Sequence, residues 1–213
     1  MNTVITIGRT FGSGGHEIGR KLAESFGIKC YDKEPLTRAA KESGLCEEVL
    51  KNHDERPTSS FLYNLVMDTY SFGYNSLSYL DMPVSHRVFL AQFDTIKNIA
   101  SDGPCVIVGR CADYALMDRE NVLNIFIYAK KEACIKRVME RFPDLKTKEE
   151  AAQMIYKIDK QRKSYYDYYS SKKWGHVNSY DLAVDSSVLG IDGSVSLIRN
   201  FVEDFESRGD SLQ

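Results

Sequence analysis

Short apolar, β-branched runs alternate along this chain with stretches whose apolar residues recur every three or four positions. The first run is Val4-Ile5-Thr6-Ile7. A Gly-rich turn follows and leads into residues 17–26, where Ile18, Leu22, Ala23 and Phe26 make a helical stripe. Gly27 stands where helices commonly end on a left-handed residue, and residues 28–31 form a second, very short run. Cys105-Val106-Ile107-Val108 and residues 122–128 are continuous apolar runs of the kind found in parallel strands buried on both faces. Residues 180–184 are a fifth strand candidate. Helical spacing returns at Phe89, Phe93, Ile96 and Ala100, at Ile135, Val138, Met139 and Phe142, and at Val195, Ile198, Val202 and Phe205. Thr147 and Glu150 have the spacing of a capping box that opens a helix through about residue 166.

This alternation predicts an α/β fold: a five-stranded, parallel, doubly wound sheet with helices on both faces and the first strand central. Residues 34–102 carry no strong strand and read as a mostly helical segment. The 213 residues suit a single domain over residues 1–213. A hydrophobic fraction of 43% with 27% charged residues is ordinary globular composition. The net charge of −2 argues against a nucleic-acid partner. No stretch approaches the about 18 apolar residues of a membrane span, and the first residues lack the regions of a signal peptide. Five cysteines without a C-x-x-C pair read as reduced thiols of a cytoplasmic protein, and their spacing speaks against a zinc site.

The chemistry begins at Gly12-Ser13-Gly14-Gly15, between the first strand and the first helix. Backbone N–H groups in such a turn, with the positive end of a helix dipole behind them, make an anion cradle. A plain strand-to-helix turn is the alternative; the position and the density of glycine favour the cradle. Against G-x-x-x-x-G-K-[ST] the fit is imperfect. With Gly14 as the second glycine, Arg9 takes the place of the first, Gly15 that of the lysine and His16 that of the Ser/Thr. Neither the lysine for the β- and γ-phosphates nor a hydroxyl for Mg²⁺ is present. Arg9, His16, Arg20 and Lys21 are the nearby sources of charge. Arg9 stands within the loop motif, where a solvated helix face does not explain it.

Beyond this loop the motifs become familiar. ITIGRTFGSGGHEIGRKLAESFGIKCYDKE, VIVGRCADYAL, FIYAKKEACIKR, DKQRKSYYDYYSSKKWG and YDLAVDSSVLGID together resemble the cytidylate kinase-like proteins, over nearly the whole chain. The resemblance implies the P-loop NTPase fold of the nucleoside monophosphate kinases, with a helical substrate-side insert at about 34–102 and a lid-like segment at about 143–178. It implies ATP-dependent phosphoryl transfer to a small phosphorylated acceptor such as CMP, with ATP and Mg²⁺. True cytidylate kinases have a GSGKGT-type loop where this chain has GSGGHE. The implied phosphate-binding set is then Gly12, Ser13, Gly14, Gly15, His16 and Glu17, with Gly15 replacing the lysine.

On the acceptor side, Asp32 and Arg38 keep the spacing of the kinases' LDSGALYR-like segment. Arg38 is implied to grip the acceptor phosphate, a bidentate task suited to a guanidinium. On the residues alone, Asp32 also reads as a helix N-cap and Arg38 as an exposed helix residue. Val108-Gly109-Arg110-Cys111 stands where cytidylate kinases have DGRD, so Arg110 remains while Val108 and Cys111 replace two aspartates. Asp113 reads as an exposed helix residue. Arg9, from its place in the loop motif, joins Arg110, Arg137 and Arg162, from the resemblance, as the catalytic candidates, while Asp159, Lys160, Arg162 and Lys163 also read as a solvated helix face. Tyr165, Tyr166, Tyr168, Tyr169 and Trp174 read as packing of the lid's stem. Asp185-Ser186-Ser187 resembles an element that lies near the adenine and acts through its backbone.

Two functions stay open. One is a phosphotransferase working by positioning and charge neutralisation. The other is a nucleotide-binding protein with little or no turnover and a regulatory or partner-binding role, favoured by the absent lysine. The Phe- and Tyr-rich helical segment offers a face for a homodimer.

Overall fold

The computed structural model describes residues 1–32 and 84–210, so the helical expectation for residues 34–83, and Arg38 with it, lies outside the described residues. Five strands form one sheet: β1 (Val4–Arg9), β2 (Lys29–Tyr31), β3 (Cys105–Val108), β4 (Val122–Tyr128) and β5 (Leu182–Asp185). All pairings are parallel, in the order β2-β3-β1-β4-β5. The first strand is central, as the alternation of elements predicts. β1 runs two residues past Ile7 because Gly8 and Arg9 pair with Phe126 and Ile127 of β4. Arg9 is therefore a strand residue rather than a loop residue. β5 begins at Leu182, because Tyr180 turns aside to pack on Phe126 at a ring distance of 4.8 Å.

Alternation along β1 divides the core. Ile5 and Ile7 face helix α1 (Gly15–Phe26) and helix α6 (Ser186–Asp210), in a layer with Ile18, Leu22, Ile198 and Val202. Val4 faces the opposite layer, with Ile96 and Ala100 of α2 (Val84–Ser101) and Ala112 and Ala115 of α3 (Ala112–Ala115). Full burial of each such aliphatic side chain stabilises by roughly 1.5–3 kcal/mol. Thr6 is buried too, and its hydroxyl is satisfied by the Asn124 Oδ1 directly across on β4, at 2.8 Å. The start of β1 is pinned by Glu206 on α6, which accepts from Asn2 N–H, Thr3 N–H and the Thr3 hydroxyl at 2.6, 3.0 and 2.8 Å.

Helices α4 (Lys131–Arg141) and α5 (Lys148–Tyr169) follow β4. The capping box is complete: Glu150 N–H donates to the Thr147 hydroxyl while its carboxylate accepts from Thr147 N–H. α5 then runs to Tyr169, past the predicted end, because its last turns are buried. Phe89 stacks on Tyr169 with ring centres 4.0 Å apart, within a third core cluster that includes Tyr114, Tyr165 and Tyr166. No helix among the described residues is long and apolar enough to cross a membrane.

Candidate active site

The carboxyl ends of β1 and β3, flanked by the N-terminus of α1, form a crevice of the kind in which open α/β sheets bind ligands. The Gly-rich loop lies on its rim. Gly12 and Gly14 both have φ of 81°, left-handed positions that suit glycine. Ser13 between them is fully buried. Its hydroxyl donates to Thr10 O at 2.8 Å and accepts from Gly15 N–H at 3.4 Å.

Three helices tie this loop down through its outer side. Asp159 on α5 accepts from Phe11 N–H at 2.7 Å. Arg137 on α4 donates through Nη1 to Gly12 O at 3.3 Å, Ser13 O at 3.0 Å and Ser186 Oγ at 3.0 Å, and through Nη2 to Ser186 O at 3.2 Å. Ser186, opening α6, donates its own hydroxyl to Ser13 O at 2.5 Å. The loop's carbonyls are thus occupied from outside. The N–H groups of Gly14, His16 and Glu17 meet no acceptor among the described residues. These are the orphan donors of a helix N-terminus, reinforced by the helix dipole.

Arg9 leaves the end of β1 and passes directly over Gly15. Its guanidinium reaches Gly109, where any Cβ would fall on Nη1. Arg110 follows with φ of 60° and Cys111 with 51°, two non-glycine residues in the left-handed region. Such positions cost on the order of 1–3 kcal/mol each. Here the strained turn ends β3 and sets Arg110 in the cleft wall while leaving it only 5% exposed. Burial is the main cause that draws the Arg110 guanidinium down to about 10, and the charge of Arg9 adds to it. At neutral pH it remains a cation.

Arg162 on α5 donates to Arg9 O at 3.2 Å, lies 3.7 Å from Asp159 and covers the Phe11 ring at 5.5 Å. Arg9, Arg110 and Arg162 therefore line one cleft, together with Tyr165, Tyr166 and Trp174. Arg137 does not line it; its fork is spent on the loop carbonyls and Ser186. His16 and Asp32 are brought together, with Nε2 2.5 Å from Oδ2. Glu17 lies 3.7 Å from Lys21, which reaches Asp192 at 2.6 Å, and Arg20 pairs with Glu24.

Asp113 overturns an expectation. It is 6% exposed rather than solvated, because α5 covers the short helix α3. Its carboxylate accepts from the Tyr166 hydroxyl at 2.5 Å and lies 3.7 Å from Lys172 Nζ. Burial holds the Asp113 carboxyl above its ordinary range despite both partners, and burial with the nearby Asp113 charge pushes the Tyr166 phenol far up. By sequence, Asp159 reads as part of a solvated helix face and Ser186 as part of the DSS-like element that acts through its backbone. The structure instead puts both side chains on the Gly-rich loop, contacts that join residues far apart in the sequence. Among the described residues no group of three or more His, Cys, Asp or Glu side chains could hold a metal ion.

Residues 4–188 match the family model described as the cytidylate kinase-like family. No curated protein matches the chain. Among solved structures, an uncharacterized protein from Eubacterium ventriosum is 30% identical, covering 94% of this chain and 98% of its own, with a TM-score of 0.70. Shikimate kinase from Bacteroides thetaiotaomicron is 12% identical over 95% of this chain and 99% of its own, with a TM-score of 0.55. A gluconokinase from Sinorhizobium meliloti is 13% identical over 97% of both chains, with a TM-score of 0.51. The last two likenesses are ones of fold, and the fold they share with this chain is that of the P-loop kinases.

Proposed function

The chain belongs to the cytidylate kinase-like family, and on that premise we propose that it transfers the γ-phosphoryl group of ATP to a small phosphorylated acceptor. The observation that carries this reading is the convergence of Arg9, Arg110 and Arg162 on one cleft beside a loop whose Gly14, His16 and Glu17 N–H groups meet no acceptor among the described residues.

The residues present fit a nucleotide's phosphates. The N–H groups of Gly14, His16 and Glu17 would hold phosphate oxygens, with Gly12, Ser13 and Gly15 shaping the loop. Magnesium usually binds through phosphates, water and one or two carboxylates rather than an all-protein cage. It would enter on the nucleotide, with Glu17 of α1 and Asp32 after β2 as candidate carboxylates, and would supply neutralisation of phosphate charge. The chain's own work is positioning and charge. Arg9 and Arg162 would face the charge that develops on the transferring group, where a positioned arginine is worth a factor of about a thousand or more. Arg110, and Arg38 from the acceptor segment, would grip the acceptor's phosphate. Arg137 would act on the reaction through the loop it holds, as a positioning residue. A shielded cleft strengthens each of these interactions.

CMP is the acceptor suggested by the family. Val108 and Cys111 stand where cytidylate kinases have aspartates, and both are buried among apolar neighbours. Cytosine recognition in the kinases' manner therefore has no carboxylate at those two positions. This reading puts the protein in the cytoplasm, where ATP is abundant. Gly15 in the lysine position favours a second reading, a nucleotide-binding protein without turnover. One experiment separates them: thermal melting with and without Mg-ATP, followed by coupled ADP release across the nucleoside monophosphates. Stabilisation with turnover supports the kinase. Stabilisation without turnover on any acceptor supports the second reading, and no stabilisation overturns both.

A further inference from the structure

The last residue of β1 and the first of α1 cross closely at the cleft. A Cβ added to Gly15 would stand 2.6 Å from the Cβ of Arg9 and 3.1 Å from its Cγ. Carbon atoms do not pack that closely. Neither partner is the far end of a flexible side chain: the Arg9 Cβ is fixed by a strand in register with Ile127 of β4. Positions 9 and 15 therefore have room for one side chain between them. The phosphate-loop motif meets the same limit with glycine at the first place and lysine at the second. This chain has arginine at the first and glycine at the second.

We infer that Arg9 and Gly15 are a reciprocal exchange: the loop's phosphate-binding cation has moved from the first turn of the helix to the last residue of the strand. Gly109 is the third member, since the guanidinium lies where its Cβ would be. The exchange explains together why the lysine is missing, why a glycine replaces it and why an arginine ends β1. It also changes the cation. A lysine presents a point charge, whereas arginine presents a planar fork that can hold two oxygens at once. From β1 that fork reaches the end of β3, beside Arg110, so the charge is delivered where the loop meets the acceptor side. What the cation does rests on the kinase reading; the steric exclusion does not.

The test is a double-mutant cycle read by thermal melting and by Mg-ATP affinity. Gly15→Ala should lower Tm by about 4 °C or more in the wild-type background. It should cost nothing, or raise Tm, in an Arg9→Gly background. An Arg9→Ala background should not relieve it, because the offending atom is the Cβ itself. Equal losses in all three backgrounds overturn the exclusion. For function, Arg9→Gly alone should weaken Mg-ATP binding by about tenfold or more. The double variant Arg9→Gly/Gly15→Lys should return to within about threefold of wild type, while Gly15→Lys alone should lower Tm and weaken binding. Arg9→Gly with wild-type affinity, or a double variant no better than Arg9→Gly, overturns the exchange of the cation. A wild type that binds no Mg-ATP overturns the kinase reading and the cationic role with it, and leaves the Tm cycle to decide the exclusion separately.

Discussion

His16 Nε2 lies 2.5 Å from Asp32 Oδ2, joining the first turn of α1 to the end of β2. The resemblance implies different ligands for these residues, the donor phosphates for His16 and the acceptor side for Asp32. In the proposed reaction their contact would join the two sides through one pair. Both are partly exposed, so the pair adds little to stability. His16→Ala and Asp32→Asn should each change unfolding free energy by less than about 1 kcal/mol. Each should lower kcat/KM by about threefold to tenfold, and the double variant by no more than the worse single one. Fully additive losses in steady-state kinetics would show that the contact has no functional part.

Arg137 should behave differently from the arginines of the cleft. Its guanidinium supports Gly12, Ser13 and Ser186 at once. Arg137→Ala should cost about 3 kcal/mol or more in urea unfolding, because it removes four charge-assisted hydrogen bonds at once from part-buried oxygens of the loop and of Ser186. Mg-ATP affinity should fall along with stability. Arg137→Lys should recover little, since one ammonium cannot reproduce the fork. Ser186→Ala should show the same pattern at about 1 kcal/mol. A loss confined to kcat, with stability and affinity intact, would move Arg137 into the reacting centre.

Arg110 offers the opposite signature. It is a buried cation, and burying charge is costly. Arg110→Met should raise the acceptor KM by about tenfold or more. Initial rates against acceptor and against ATP separate the effects: the acceptor term should move and the ATP term should not. A stability loss without any change in acceptor KM would make Arg110 a structural residue.

Glu206 sets an acid dependence. Burial alone would raise its carboxyl, yet the hydrogen bonds from Thr3 and Asn2 outweigh it and hold the group below the ordinary glutamate range. A folded carboxyl that is depressed contributes stability above the unfolded value, and that stability is lost as pH falls through the folded one. Glu206→Gln should therefore cost about 1–2 kcal/mol at pH 7 and progressively less at an acid pH below the ordinary glutamate range. Denaturant unfolding at both pH values tests this; a difference that persists undiminished in acid would reject the ionic account.

Much of this molecule is legible from residue order. Apolar runs such as 105–108 leave little choice but buried strands, and the period of Ile18, Leu22 and Ala23 leaves little choice but a helix against them. Right-handed parallel crossovers then restrict the topology to a few forms. The Thr147 and Glu150 cap is equally local, because both partners lie within one turn. The site is only half legible. Residue types and spacing single out the Gly-rich loop and Arg9 as candidates, and the resemblance adds Arg110, Arg137 and Arg162. Which arginine faces the cleft and which clamps the loop depends on contacts more than a hundred residues apart, such as Arg137 with Ser13. The burial of Asp113 depends on α5 crossing above it, and the exclusion between Arg9 and Gly15 depends on how closely β1 approaches α1. Periodicity carries the direction of a side chain relative to its own element. The distance between elements is set by packing, and in this protein packing decides which charges meet one another and which face the cleft.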